Sequence, residues 1–364
     1  MKTREHGEGA RLSSRKSLRN DGDVQEKSLL KYTEKPLEPI RRPYEFKLSI
    51  LIVNYNSGEM LLDCLESICA TVKTDPFEVI VVDNDSKDSS IDSARDKYPE
   101  VRFIENSFNN WFTGGTNQAI EVSRGEYILC LNPDTVCRGN AIDELVSFLD
   151  SDPQAGLAAP RLLNGDGSLQ PSCRNFLKSR YLILRHILPW KRLPDSWRKK
   201  AVLEYWDHDE TIQPDWIIGA CILVRRETVE DIGLKDEGFP MFHEETDWCY
   251  RMKKAGWGIW FVHTAEITHF GSQSAVKYWG SDLVLEFYKG KHRFVRKHFG
   301  PLSLLLHRLL LAGLLLLRLT VVLVRRVFSG NADLRQETVF LLKGMVIQLG
   351  LNGKNLPGIP HRKF

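Results

Sequence analysis

The chain has 364 residues, a length that allows one large catalytic domain with appendages. Apolar residues make up 42% and charged residues 27%, which excludes a collagenous, disulfide-scaffold or wholly disordered chain. A formal net charge of +3, with no basic helix interleaved with base-stacking aromatics, gives no argument for nucleic acid as a partner.

Residues 1–45 are charged, poor in aromatics and without apolar period, so they are expected to form a disordered tail that buries too little to offset its ordering entropy. The N-terminus lacks an apolar core, and a cleaved signal peptide is not expected. From Lys47 onward, short apolar runs alternate with helical stretches. They are "LSILIVN" (48–54), a helix near 59–70, "FEVIVVD" (77–83), a helix near 90–97, "VRFIE" (101–105), a helix near 116–123 and "YILCLN" (127–132). Val/Ile/Leu-rich strands separated by helices predict an α/β unit, a doubly wound parallel sheet with helices on both faces. The seven cysteines are scattered without metal-ligand spacing and are read as reduced thiols of a cytosolic protein.

Asn54, Asp83, Asn106 and Asp134 each fall at or just past the carboxyl end of a strand, the edge where open parallel sheets bind ligands. In "LNPDTV" (131–136), Asp134 reads equally as a turn residue after Pro133 or as a carboxylate presented to a metal. "VDNDSKDSS" (82–90) gathers Asp83, Asn84 and Asp85 where acids accept hydrogen bonds from a base or ribose. "NSFNNWFTGGTNQAI" (106–120) places Gly114 and Gly115 ahead of the expected helix, with amides open to an anionic ligand and Asn117 close by.

"RLLNGDGSLQ" (161–170) predicts a hairpin around Asn164-Gly165. Residues 174–214 are basic and aromatic, fitting either a solvated insertion or a surface facing acceptor or membrane. In "WIIGACILVRR" (216–226), Gly219-Ala220 allows backbone close to a ligand. "MFHEETDWCYRMKKAGW" (241–257) crowds Glu244, Glu245 and Asp247 at the start of an amphipathic helix. These acids satisfy the macrodipole, and a carboxylate beside others also gains the raised pKa of a general base. "AEITHF" (265–270) ends an alternating strand in His269, by composition alone an ordinary core histidine.

Taken in order, "SILIVNYNS", "VIVVDNDS", "GGTNQAI", "LNPDTV", "GACILVRR" and "EETDWCYRMKKAGW" closely resemble family 2 glycosyltransferases of the GT-A fold, especially the rhamnosyltransferase-like branch, over about 47–274. The resemblance implies a Rossmann-like, mostly parallel central sheet and an inverting, metal-dependent sugar transfer, with dTDP-rhamnose as the favoured donor. "NPD" stands where the family has its Asp-x-Asp motif, so Asp134 is expected to hold Mn²⁺ or Mg²⁺ against the donor diphosphate, Asn132 being a less anionic first position. His269 matches a further metal ligand. Asp83, Asn84 and Asp85, with Asn54, are implied at the nucleoside, and Gly114, Gly115 and Asn117 at the donor. The catalytic base falls to Glu245 or Asp247, with the choice between them open.

"LSLLLHRLLLAGLLLLRLTVVLVRRVF" (302–328) is strongly apolar, but His307, Arg308 and Arg318 interrupt it. As a helix it gathers His307, Arg308, Arg318, Arg325 and Arg326 on one arc. This predicts C-terminal amphipathic helices lying on the cytoplasmic face of a membrane, arginines toward lipid. The chain thus divides into a tail (1–45), a GT-A domain (46–275) and a membrane-associating helical segment (276–364), acting on a lipid-linked or polysaccharide acceptor in cell-surface glycan synthesis. Two other functions fit single features: a haloacid-dehalogenase-type phosphatase using Asp83 and Asp85, and a non-catalytic, membrane-attached glycan-binding protein.

Overall fold

The computed structural model describes residues 36–40, 42–176, 194, 196, 203, 206–271, 283–329 and 333–350. Most of the tail, most of the basic and aromatic stretch within 174–214, and the last residues lie outside this set. The first strands are β1 (Phe46–Asn54), β2 (Phe77–Asp83), β3 (Arg102–Glu105) and β4 (Gly125–Leu131). They pair in parallel in the order β3-β2-β1-β4. Every residue of β1 from Leu48 to Asn54 is buried, as a strand covered on both faces requires.

Alternation along β1 sorts the core into two layers. Leu48, Ile50 and Ile52 pack with α1 (Met60–Thr71), α2 (Ser90–Lys97) and α4 (Ala141–Ser151). Leu51 faces the opposite layer, with Ile120 of α3 (Trp111–Val122), Val229 of α5 (Arg226–Ile232) and Trp248 of α6 (Glu244–Ala255). Fully burying each such Leu or Ile contributes on the order of 1.5–3 kcal/mol.

Beyond β4 the sheet is mixed rather than parallel. β10 (Cys221–Arg225) inserts antiparallel between β4 and β6 (Ala155–Leu163), and β11 (Gly258–His269) runs parallel to β6. The short β5 (Thr135–Cys137) pairs antiparallel with the end of β11. β7 (Leu169–Gln170) closes a hairpin on β6, with Gly167 at φ +82° supplying the turn that the sequence placed around Asn164-Gly165. β8 (Cys173–Arg174) and β9 (Trp216–Ile217) form a separate two-stranded ribbon.

The C-terminus is helical. α7 (Leu283–Ser329) is divided at Gly300, where φ is +82° and Pro301 follows, removing a helix hydrogen bond. Its first part packs on α6 through Phe294, Tyr250 and Phe176. Its second part packs on α8 (Asp333–Gln348) through Leu311, Leu315 and Leu341. The opposite side exposes Leu302, Leu306, Leu309, Leu316, Leu317 and Val324 at helical spacing. Glu286–Val324 is long and apolar enough to cross a membrane, and only 22% of its most apolar window is buried.

The expected basic arc is changed by this packing. Arg308 turns inward to donate to the carbonyls of Gln348 (2.7 Å) and Ile347 (3.3 Å), closing the end of α8. Arg318 is exposed. The outward face of α7 is therefore mainly apolar among the described residues.

Candidate active site

The carboxyl edge of the parallel strands carries the polar residues that the sequence placed there. Asn54 and Asp83 are register partners on β1 and β2, both buried, and Asn54 donates to Asp83 Oδ1 at 2.8 Å. Ser86 also donates to Asp83, from its amide at 2.9 Å and from its hydroxyl. Asn84 donates to Trp111 O and accepts from Asn106, binding the ends of β2 and β3 to the start of α3. Asp85 sits at φ +64° and pairs with Lys87, leaving it the outward acid of this loop. With its carboxylate occupied by Asn54 and Ser86, Asp83 is a poor phosphatase nucleophile.

α3 starts at Trp111 instead of near residue 116, which places Gly114, Gly115 and Asn117 inside the helix. Gly114 and Gly115 lie within the helix and are buried, so their amides are not presented as a free N-terminus. A Cβ on Gly115 would lie 2.9 Å from Val53 Cγ1, so this glycine serves close packing of α3 on β1. Asn117 is buried and bonds the backbone of Lys235, donating to its O (2.9 Å) and accepting from its N (3.1 Å).

The ladder between β5 and β11 pairs His269 with Thr135, one residue from Asp134, and Phe270 N donates to Asp134 O at 2.9 Å. His269 Nε2 thereby lies 3.3 Å from Asp134 Oδ1 and 3.4 Å from Asn132 Nδ2, with Asp134 and His269 both buried. The turn is also present, as Thr135 Oγ1 donates to Asn132 O at 2.7 Å. Turn and ligand readings of Asp134 are thus compatible. Sequence reasoning missed Gln170. It donates to Asn164 Oδ1 (3.0 Å) and His269 O (3.4 Å), which turns its Oε1 to His269 Nδ1 at 2.7 Å. Nδ1 then donates to Gln170, which fixes the ring with Nε2 turned to Asp134.

Asn132 Oδ1 is buried beside this cluster with no hydrogen-bond partner. A carboxylate oxygen, an imidazole nitrogen and an orphaned amide oxygen form a donor set that suits Mn²⁺ or Mg²⁺. No group of three or more His, Cys, Asp or Glu side chains gathers among the described residues, so phosphate oxygens or water must complete any coordination shell.

Asn132 N donates to Ala220 O (2.9 Å), and a Cβ at neighbouring Gly219 would meet the Glu245 side chain at 3.6 Å. The 219–220 backbone thus bridges the strand-end cluster and the start of α6. There, Phe242 and His243 adopt φ of +65° and +67°, a strained pair for non-glycine residues. Glu244 and Glu245 follow, both buried, each with an Oε2 that has no hydrogen-bond partner. Burial, followed by the adjacent Glu244 charge, pushes the Glu245 carboxyl well above the usual range. That environment suits a proton acceptor.

Asp247 does not share it. It is fully buried between Arg251 (2.9 Å), Lys297 (2.8 Å) and His298 (2.7 Å). Burial alone would raise its carboxyl, but the His298 hydrogen bond and the Arg251 and Lys297 charges outweigh it and hold the group at about 2. A carboxylate held that acidic is a weak base, which sets Asp247 apart from Glu245 as a proton acceptor. Lys297 and His298 come from α7, outside the motifs that drew attention to the acids.

Residues 49–193 match the family model described as glycosyl transferase family 2. The chain is a glycosyltransferase with a family 2 domain over this stretch. This glycosyltransferase is 28% identical over 240 residues to the N-acetylglucosaminyl-diphospho-decaprenol L-rhamnosyltransferase of Mycobacterium tuberculosis, across 62% of this chain and 77% of that protein. It is also 28% identical over 230 residues to the low-salt glycan biosynthesis hexosyltransferase Agl10 of Haloferax volcanii, covering 61% and 66%. Among solved structures, that of GalNAc-T7 with UDP, GalNAc and Mn²⁺ superposes with a TM-score of 0.50 at 16% identity, over 71% of this chain and about half (52%) of the other. This last likeness concerns the fold, which is GT-A-like. Together with Asp83's bonding, the family 2 domain and these relatives leave the phosphatase reading without support.

Proposed function

We propose that this glycosyltransferase moves a rhamnosyl or related hexosyl group from a nucleotide sugar, with dTDP-rhamnose favoured, to a lipid-linked or glycan acceptor, inverting the anomeric centre. The observation that carries this reading is the contact of Asp134 with His269 beside the orphaned Asn132 amide oxygen. Asp134, His269 and Asn132 would hold the divalent cation, with Gln170 orienting the imidazole. When bound, such a cation neutralises charge on the leaving diphosphate. Glu245 takes the proton of the acceptor hydroxyl as its oxygen attacks the anomeric carbon, and the bond to the diphosphate breaks with its electron pair leaving on phosphate. Asn54, Asp83 and Asn84 shape the loop on which the nucleoside rests, and Asp85 is its outward acid.

Residues 46–275 are the catalytic unit on this reading, and 276–364 associate with the cytoplasmic face of a membrane through the apolar face of α7. The relatives support a lipid-linked acceptor, because the mycobacterial enzyme's name specifies a decaprenyl diphosphate substrate. A thermal-shift panel of nucleotide sugars, each with and without Mn²⁺ or Mg²⁺, tests the donor and metal. A rise in Tm that needs both cation and a nucleotide diphosphate sugar is expected. Equal stabilisation without cation, or loss of none of it in Asp134→Ala, would overturn the metal assignment.

A further inference from the structure

Lys235 lies between α5 and α6, only 1% exposed, and its ammonium has no hydrogen-bond partner. An unpartnered buried ammonium is costly and is rarely retained without a compensating charge. Here its backbone is pinned on both sides by the Asn117 amide. The ammonium sits over the rings of Phe112 (5.0 Å) and Trp248 (5.3 Å), and the Trp248 indole is itself fixed by donating to Gly233 O at 3.1 Å. Trp248 follows Glu244 by four residues and Glu245 by three, so all three occupy one face of α6. The cation is therefore delivered against the face that carries the two orphaned carboxylate oxygens.

We propose that Lys235 is a positioning residue for the acid pair, supplying the positive charge that keeps one carboxylate of Glu244–Glu245 ionised and ready to accept the acceptor's proton. This rests on the reading of Glu245 as the base. Two facing cations would empty the pair of protons, and none would leave the carboxyls neutral in their dry setting; one cation balances one charge. Burial raises both glutamates, and Lys235 opposes that rise in each. Of the neighbouring titratable groups, burial pushes Cys249 on α6 to about 12 and Cys130 on β4 upward and lowers His243 to about 3, so these are neutral, while the charge of Asp247 is matched by Arg251 and Lys297. Cation–π contacts explain how the ammonium is tolerated, but not why an amine stands where a methionine would fill the same slot.

Infrared titration of the protonated-carboxyl stretch, together with the pH dependence of kcat/KM, tests this in the full-length protein and in Lys235→Met, Lys235→Arg and Glu245→Gln. In Lys235→Met the midpoint of the band and the acid limb of kcat/KM are expected to move up by about one pH unit, and Lys235→Arg to restore both. Tm of Lys235→Met should hold below the shifted midpoint, where the acid pair is neutral, and fall above it, where the pair is ionised without its counter-charge; should that variant fail to fold, Lys235→Gln provides the same charge deletion. An unmoved midpoint, or a rate loss uniform across pH with the limb in place, overturns the proposal. A shifted midpoint combined with wild-type turnover in Glu245→Gln upholds the Lys235 coupling and overturns Glu245 as base.

Discussion

Asp247 of α6 accepts a 2.7 Å hydrogen bond from His298 of α7, so one of the two acids that the sequence offered as a base ties α6 to the C-terminal helix. Its carboxyl is depressed from 3.8 to about 2. Its stabilising contribution is therefore full above about pH 4 and lost as pH falls through about 2. Asp247→Asn should lower stability at neutral pH by on the order of 2 kcal/mol. Urea denaturation across pH 6 to 2 checks this, and the gap between variant and wild type should narrow in the acid range.

Glu245→Gln keeps the size and most contacts of the side chain but cannot accept a proton. A fall of roughly 10²- to 10⁴-fold in kcat is expected, with donor affinity little changed. Glu244→Gln should lower the acid limb of the pH–rate profile instead, since the neighbouring charge that raises Glu245 is gone. Single-turnover transfer assays over pH separate the two.

Gln170→Ala removes the acceptor that holds His269 Nδ1 and frees the ring to rotate. Second-shell losses of this kind weaken metal binding roughly 10- to 100-fold. Mn²⁺ titration with nucleoside diphosphate present, followed by calorimetry, should show that weakening, and His269→Ala should show at least as much.

Gly290 of α7 lies against the strained Phe242–His243 pair: an added Cβ would sit 2.8 Å from Phe242 O. Gly290→Ala must displace either α7 or that loop, with an expected cost of about 1–3 kcal/mol and reduced kcat. Replacing exposed Gly313, where a Cβ meets nothing within 4 Å, is the control and should leave Tm unchanged or raised.

Leu306→Lys with Leu309→Lys alters the outward face of α7 without touching its packing on α8, because both side chains are exposed. Tm should hold while sedimentation with anionic vesicles is lost. Continued sedimentation would show that another surface makes the attachment.

The parallel half of the fold was legible because its strands are unbroken apolar runs, and periodicity locates such strands well. Asp134 and His269 were legible as individual strand ends, but their meeting depends on the β5–β11 ladder, a pairing between distant segments that no local pattern reports. α3 was misplaced by its glycines. "TGG" reads as a helix-breaking loop, whereas the close approach to Val53 demands glycine inside the helix. Asp247 looked equivalent to Glu245 because both stand in one first turn; Lys297 and His298, which distinguish them, lie far along the chain. Lys235 carried no motif at all, and only its burial without a partner singles it out.

The two parts of α7 have a consequence for acceptor size. His298, which grips α6, and Leu302, which begins the exposed apolar stripe, are four residues apart across the break at Gly300, a reach of at most about 14 Å. If that stripe rests on lipid, the grip on α6 stands close above the bilayer plane. Sugars joined directly or nearly so to a membrane-embedded carrier would then be better placed for glycosylation than the far end of a long soluble polymer.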